Sequence, residues 1–127
     1  MALVLDSGGV SRLAMREAAV VALVRAFERV GLWPPIVPSM VLVESLTGRP
    51  GADATTNRLL KTCDVRTEVP EALARRAAAL RTAAGRGSAV DALVVAVAEP
   101  GGIVLPGDLA DIQALADHAE EVRVERA

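Results

Sequence analysis

Aromatic side chains and the usual zinc ligands are nearly missing from this sequence. It has one Trp, one Phe and no Tyr, so aromatics make up 2% of its 127 residues. Proteins that bind single-stranded nucleic acid by stacking bases need Phe, Tyr or Trp faces, and a base-stacking platform is therefore not expected. The only cysteine and the only histidine, Cys63 and His118, stand far apart in the sequence and do not predict a zinc site.

Disulfides and membrane segments are also not expected. A single cysteine cannot form an internal disulfide, which favours a reducing cytoplasm. The sequence has no charged-then-apolar leader, and no apolar run reaches the length that spans a bilayer. We therefore expect a soluble, cytoplasmic protein of one domain, residues 1–127, without membrane contact.

Aliphatic residues are abundant, and their spacing predicts alternating strands and helices. The hydrophobic fraction is 52%. Short apolar runs predict strands and apolar residues at helical spacing predict helices. The predicted strands are 2–5, 36–37, 65–67, 103–105 and, at an edge, 122–124; the predicted helices are 10–30, 39–46 with Ser39 as its cap, 54–62, 71–83, 88–98 and 108–119. This alternation predicts an α/β fold, a three-layer sandwich with a central, mainly parallel sheet.

Charge is distributed unevenly along the chain. The net charge is −2, which does not predict a surface that binds nucleic acid by charge alone. Residues 49–86 nevertheless contain eight cations and four anions, a net charge of +4. A basic middle segment is compatible with phosphate contacts beside a metal-binding pocket, and equally with an ordinary solvated helix face.

Four acidic residues in distant segments are candidates for one site. Asp6 directly follows the first strand and Asp108 follows the strand 103–105, so both are expected at the carboxyl edge of the sheet. Glu44 belongs to the short helix after the second strand, and Asp91 lies in the first turn of an apolar helix. Carboxylates without His or Cys are the ligands that Mg²⁺ or Mn²⁺ prefers.

Each acid also has a purely structural interpretation. Asp6 is compatible with a turn before Gly8-Gly9, and Glu44 with an exposed helix position. Ser88 to Asp91 matches a capping box, and Asp108 is placed to cap the last long helix, with Asp111 in its first turn. No single acid decides between the two interpretations.

The segments around these acids resemble a known family. The hydrophobic strand before Asp6 and the segments Val43–Leu46, Ser88–Leu93 and Gly107–Ile112 resemble the PIN domain, and their order and the chain length resemble VapC toxins of bacterial toxin–antitoxin pairs. The resemblance runs over essentially the whole chain. It implies a PIN-like fold, metal-dependent endoribonuclease activity on RNA such as tRNA or rRNA, a homodimer, and a VapB-type antitoxin.

Carried over by position, the resemblance makes Asp6, Glu44, Asp91 and Asp108 the catalytic and metal-binding residues, with Asp111 as an accessory acid. The sequence departs from the family in one place, because Pro106-Gly107 precedes Asp108 where Thr or Ser is usual. Two alternatives remain. One is a catalytically weakened PIN-fold module that binds RNA or an antitoxin, and the other is a Mg²⁺-dependent phosphatase or signalling domain, which is disfavoured because the only lysine is Lys61.

Overall fold

The computed structural model describes residues 1–125 and contains one sheet of five short strands with helices between them. Along the chain the elements are β1 (Leu3–Leu5), α1 (Ser7–Ala14), α2 (Ala18–Arg29), β2 (Ile36–Pro38), α3 (Val41–Ser45), α4 (Pro50–Leu60), β3 (Asp64–Arg66), α5 (Glu71–Ala84), α6 (Ala89–Ala98), β4 (Ile103–Leu105), α7 (Leu109–Ala116) and β5 (Arg123–Val124). All pairings are parallel, and the strand order is β3-β2-β1-β4-β5. The predicted α/β sandwich with a central parallel sheet is confirmed, with β5 at an edge.

The centre of the sheet explains why its strands read as continuous apolar runs. Every residue of β1 and β4 is buried. Val4 of β1 lies between Ile36 of β2 and Val104 of β4. Because a central parallel strand has helices on both faces, neither set of its alternating side chains meets water.

The predicted single helix 10–30 is wrong, because two helices occupy this segment. The Asp6 carboxylate accepts the Gly9 N–H and starts α1 at Ser7, three residues before the predicted start. Backbone at Met15 and Glu17 is extended and separates α1 from α2. The chain changes direction there while the apolar periodicity continues, and both helices contribute buried residues to the core.

The helix that follows β2 also begins differently from the prediction. The Ser39 N–H donates to the Arg66 carbonyl at 2.8 Å, which extends the pairing of β2 with β3. The helix α3 therefore starts at Val41, and its N-cap residue, Met40, makes no side-chain cap hydrogen bond. The prediction that Ser39 caps this helix is wrong because the sheet uses that residue.

The next helix, α4, begins four residues before the predicted start at 54. Pro50 is at its first position, where a missing N–H costs nothing. The buried Asp53 carboxylate accepts the N–H groups of Thr47 and Gly48, each at 2.9 Å. These bonds, that of Thr47 first, lower the pKa of Asp53 below its ordinary value of 3.8.

The other predicted elements begin and end within three residues of the observed ones. Within residues 1–125, no helix is both long enough and apolar enough to cross a membrane.

A two-pronged ion pair joins α5 to the end of α6. Arg76 donates from Nε and Nη2 to the two carboxylate oxygens of Glu99, at 2.8 and 2.7 Å. Glu99 also accepts the Glu120 N–H at 2.8 Å, and its side chain is 9% exposed. The bonds from Arg76 are the main reason why the pKa of Glu99 lies below its ordinary value of 4.5.

We predict that Glu99→Gln lowers the free energy of unfolding by about 2 kcal/mol near neutral pH, because a charged hydrogen-bond acceptor is lost. Since the folded-state pKa is depressed, the contribution of Glu99 is present above 4.5 and is lost as pH falls through the folded pKa. Urea denaturation at neutral and acid pH measures both effects. Glu71→Gln, which breaks the exposed Arg75–Glu71 pair, is the control and changes stability by less than about 0.5 kcal/mol. Equal losses for both variants would contradict the prediction.

Candidate functional site

The strand order creates a crevice between the carboxyl ends of β1 and β4. β1 pairs with β2 on one side and with β4 on the other, so the chain leaves these two central strands in opposite directions. Parallel α/β sheets bind ligands at such a switch point. Asp6 directly follows β1, and Gly107 and Asp108 follow β4. The topology thus places two of the predicted acids beside the crevice.

The Asp6 carboxylate connects the two loops at this crevice. Its Oδ1 accepts the Gly9 N–H at 2.7 Å, and the Gly107 N–H lies 2.8 Å from both Oδ1 and Oδ2. Asp6 is 4% exposed. The side chain therefore acts as the N-cap of α1 and as the anchor of the loop after β4.

Glycine is required on both sides of this connection. A Cβ added to Gly8 would overlap the Gly107 Cα, and one added to Gly107 would lie 2.5 Å from the Gly8 Cα. A hydroxyl residue at 107 would meet the same backbone. The departure from the family pattern at Pro106-Gly107 therefore has a steric reason in this chain, namely the backbone contact with Gly8.

Asp91 lies close enough to Asp6 to affect its ionisation. Burial is the main reason why the pKa of Asp6 lies above its ordinary value of 3.8, and the negative charge of Asp91 raises it further, against the hydrogen bonds from Gly107 and Gly9. Asp91 also forms the predicted capping box. It accepts the Ser88 N–H at 3.1 Å and donates its own N–H to the Ser88 hydroxyl at 3.0 Å. Asp91 thus caps α6 and also influences the ionisation of Asp6.

Asp108 and Asp111 lie together at the start of α7. Asp108 is the N-cap, as predicted, and accepts the Asp111 N–H at 3.2 Å. Asp111 forms an ion pair with Arg86, whose Nε lies 2.6 Å from its Oδ1. A cation therefore borders this part of the crevice.

Glu44 is the predicted ligand that the structure connects least to the others. It is exposed on α3, a helix that packs against α1 and β2. Among residues 1–125, no three His, Cys, Asp or Glu side chains are grouped closely enough to hold a metal ion. The four-carboxylate metal site therefore stays a prediction. The structure relates Asp91 to Asp6 by charge, and it places Asp108 after β4, the strand that pairs with β1.

The donor set nevertheless fits a hard divalent cation chemically. The capping bonds use one oxygen of Asp91 and one of Asp108, namely Oδ2 and Oδ1. A carboxylate offers about four lone pairs on its two oxygens, so these side chains keep sites that can coordinate an ion. A cation would also offset the repulsion between Asp6 and Asp91.

The chain matches no protein-family model, and no curated protein is significantly similar to it.

Two residues of the site were not found by sequence reasoning. The sequence identifies Gly107 only as a departure from the pattern of the family that it resembles, although its N–H reaches Asp6. Arg86 is one of the cations of the basic segment, and the sequence indicates no partner for it. The adjacent glycines Gly8 and Gly9 after Asp6 are the sequence signal for close backbone packing there, and Gly87, the residue after Arg86, packs against the Leu115 side chain.

We predict that Gly107→Ala destabilises the protein by about 1–3 kcal/mol, because the new methyl group meets the Gly8 backbone. Chemical denaturation measures the change. The control is Gly51→Ala in α4, where a Cβ meets nothing within 4 Å and where alanine favours the helix. The account of the crevice is wrong if the two variants are equally stable.

A second prediction concerns the two buried aspartates, whose pKa values shift in opposite directions. The raised pKa of Asp6 means that ionisation weakens the fold, a cost that is absent below 3.8 and complete above the folded pKa. Asp6→Asn removes this cost together with a hydrogen-bond acceptor of Gly107, so its Tm relative to the wild type should be higher near neutral pH than in acid. The matched change Asp53→Asn should show the opposite trend, because the charge of Asp53 stabilises the fold near neutral pH. Thermal unfolding of both variants and the wild type across the acid range tests both signs, and the same trend with pH for both variants would contradict the assignment to Asp6.

Proposed function

We propose that this chain is a divalent-metal-dependent endoribonuclease of the PIN-domain, VapC-toxin type. The observation that carries the proposal is the buried Asp6 carboxylate at the β1/β4 crevice, held by the Gly9 and Gly107 N–H groups, whose pKa is raised mainly by burial and further by the charge of Asp91. Structural carboxylates are usually separated or paired with cations, whereas acids that repel one another in a crevice are typical of functional sites.

Asp6, Asp91 and Asp108 would hold Mg²⁺ or Mn²⁺ together with Glu44, and Asp111 would act as an accessory acid. Bound there, such an ion supplies an activated water and stabilises the charge that grows on a scissile phosphate. Asp6 would be held in position by the Gly9 and Gly107 N–H groups, and the start of α7 would orient Asp108. The backbone bonds of these acids limit their motion, which is what a metal ligand requires.

The partners implied by the family resemblance belong to the same proposal: an RNA substrate such as tRNA or rRNA, a VapB-type antitoxin and a second copy of the chain, in the cytoplasm. One feature of α3 supports a protein partner near Glu44. Val43 is 82% exposed, and Met40, the N-cap residue of α3, is 37% exposed. Exposed large apolar side chains three residues apart are suited to contact another protein.

A second candidate is the catalytically weakened binding module. It is favoured by the Gly107 N–H, which already contacts both oxygens of Asp6. This contact leaves fewer lone pairs on Asp6 for an ion.

We predict that the purified chain cleaves total RNA with Mn²⁺ and that EDTA abolishes the cleavage. Each of the four changes Asp6→Asn, Glu44→Gln, Asp91→Asn and Asp108→Asn lowers the rate by at least about a hundredfold, because loss of a ligand exceeds the 10–100-fold cost of losing an outer-shell partner. Glu71→Gln, at the far end of α5 from the Gly85 turn, is the control and retains activity.

Thermal unfolding with and without Mn²⁺ gives a readout that does not depend on activity. An ion that binds only the folded state raises the Tm of the wild type and of Glu71→Gln, and raises that of Asp6→Asn much less. Uncleaved RNA together with a Mn²⁺-dependent rise in Tm would contradict the enzyme and leave a metal-binding module. If Mn²⁺ neither supports RNA cleavage nor raises the Tm, the metal site itself is refuted.

A further inference from the structure

The short loop between α5 and α6 holds its backbone firmly against α7. Gly87 has a φ of +96°, and a Cβ there would lie 2.8 Å from Leu115 Cδ1. Arg81 donates from Nε to the Gly87 carbonyl at 3.1 Å. These contacts fix the position of Arg86, the residue between the two glycines of the loop.

The Arg86 side chain is anchored at one point and remains accessible. Its Nε contacts Asp111, which is 24% exposed, while the Arg86 side chain itself is 55% exposed. The Asp111 N–H in turn donates to the Asp108 carboxylate. Asp111 thus connects Arg86 to Asp108, a predicted metal ligand. The guanidinium carries further N–H donors on its two Nη atoms.

The other paired cations of the basic segment lie elsewhere. Arg66 pairs with Asp64, Arg75 with Glu71, and Arg76 with Glu99. Among the ion pairs of residues 1–125, the Arg86–Asp111 pair alone involves an acid of the predicted site. Exposed ion pairs contribute little to the stability of the fold, so stability alone does not explain why Arg86 lies beside Asp111.

We propose that Arg86 binds the phosphodiester backbone of the RNA substrate beside the acids, and that Asp111 positions it for this contact. The inference rests on the proposed function and explains how the same site attracts RNA, which is an anionic polymer. A phosphate that approaches Asp108 and Asp111 is repelled by their carboxylates, and the cation that Asp111 holds reduces this repulsion. Guanidinium groups suit this task because they donate two parallel hydrogen bonds to phosphate oxygens.

The test compares Arg86→Gln with Arg75→Gln. Both changes remove one positive charge from an ion pair with an acid, but Arg75 lies about 15 Å along α5 from the Gly85 turn. Cleavage kinetics with Mn²⁺ should show a KM about threefold to tenfold higher for Arg86→Gln, with kcat little changed, as expected when a contact present in both ground and transition states is lost. Arg75→Gln should match the wild type.

RNA binding without catalysis gives an independent readout. With a short fluorescein-labelled single-stranded RNA in EDTA, fluorescence anisotropy measures affinity across salt concentrations. Arg86→Gln should reduce the slope of log affinity against log salt by about 0.7, the value for one lost phosphate contact on a single strand. Arg86→Lys should recover part of the affinity, and Asp111→Asn should weaken binding less than Arg86→Gln does, because the cation remains but is no longer positioned.

The outcomes separate this inference from the proposed function. If the wild type cleaves RNA and Arg86→Gln has the KM and salt slope of Arg75→Gln, the role of Arg86 is refuted and the nuclease stands. Binding that depends on Arg86 without any cleavage would support the phosphate contact and overturn the nuclease. Tighter binding or faster cleavage by Arg86→Gln would show that Arg86 shields the acids from RNA, which contradicts the inference.

Discussion

The Asp6 carboxylate joins the two chain segments that leave the centre of the sheet. It caps α1 through the Gly9 N–H and holds the loop after β4 through the Gly107 N–H, at a sequence separation of 101 residues. The contact is possible because Gly8 and Gly107 approach without side chains. Everything else at the crevice depends on this geometry, since it sets how close Asp108 comes to Asp6 and how the start of α7 is oriented.

The acidic residues of the predicted site lie at helix N-termini, where negative charge is favourable. Asp6, Asp91 and Asp108 each bond an N–H at the beginning of a helix, where the helix dipole favours an anion. Those bonds explain how the fold tolerates acids at these three positions, and they leave lone pairs of the carboxylates unused. Burial raises the pKa of Asp6 most, and the negative charge of Asp91 raises it further; a divalent cation would relieve that repulsion.

Local patterns in the sequence predicted the elements whose structure is set locally. The apolar runs of β1 and β4, the Ser88–Asp91 capping box and the Asp108 cap are all observed as expected. The break at Met15 escaped prediction because the apolar periodicity continues through it, and the helix cap at Ser39 was wrong because that residue pairs in the sheet. The long-range contacts of the site, Gly107 with Asp6 and Arg86 with Asp111, connect segments that no local pattern relates. The exposed position of Glu44 likewise depends on how α3 packs against α1 and β2, which no local pattern encodes.

The central claim is that these acids form one binding site for a divalent cation. Anomalous diffraction from crystals of the wild-type chain grown with Mn²⁺ tests it most directly, because the signal identifies the ion and its ligands together. The account predicts a Mn²⁺ peak within coordination distance of Asp6 and at least one of Asp91 and Asp108. Strong Mn²⁺ peaks at other surface acids, with none at the β1/β4 crevice, would contradict it.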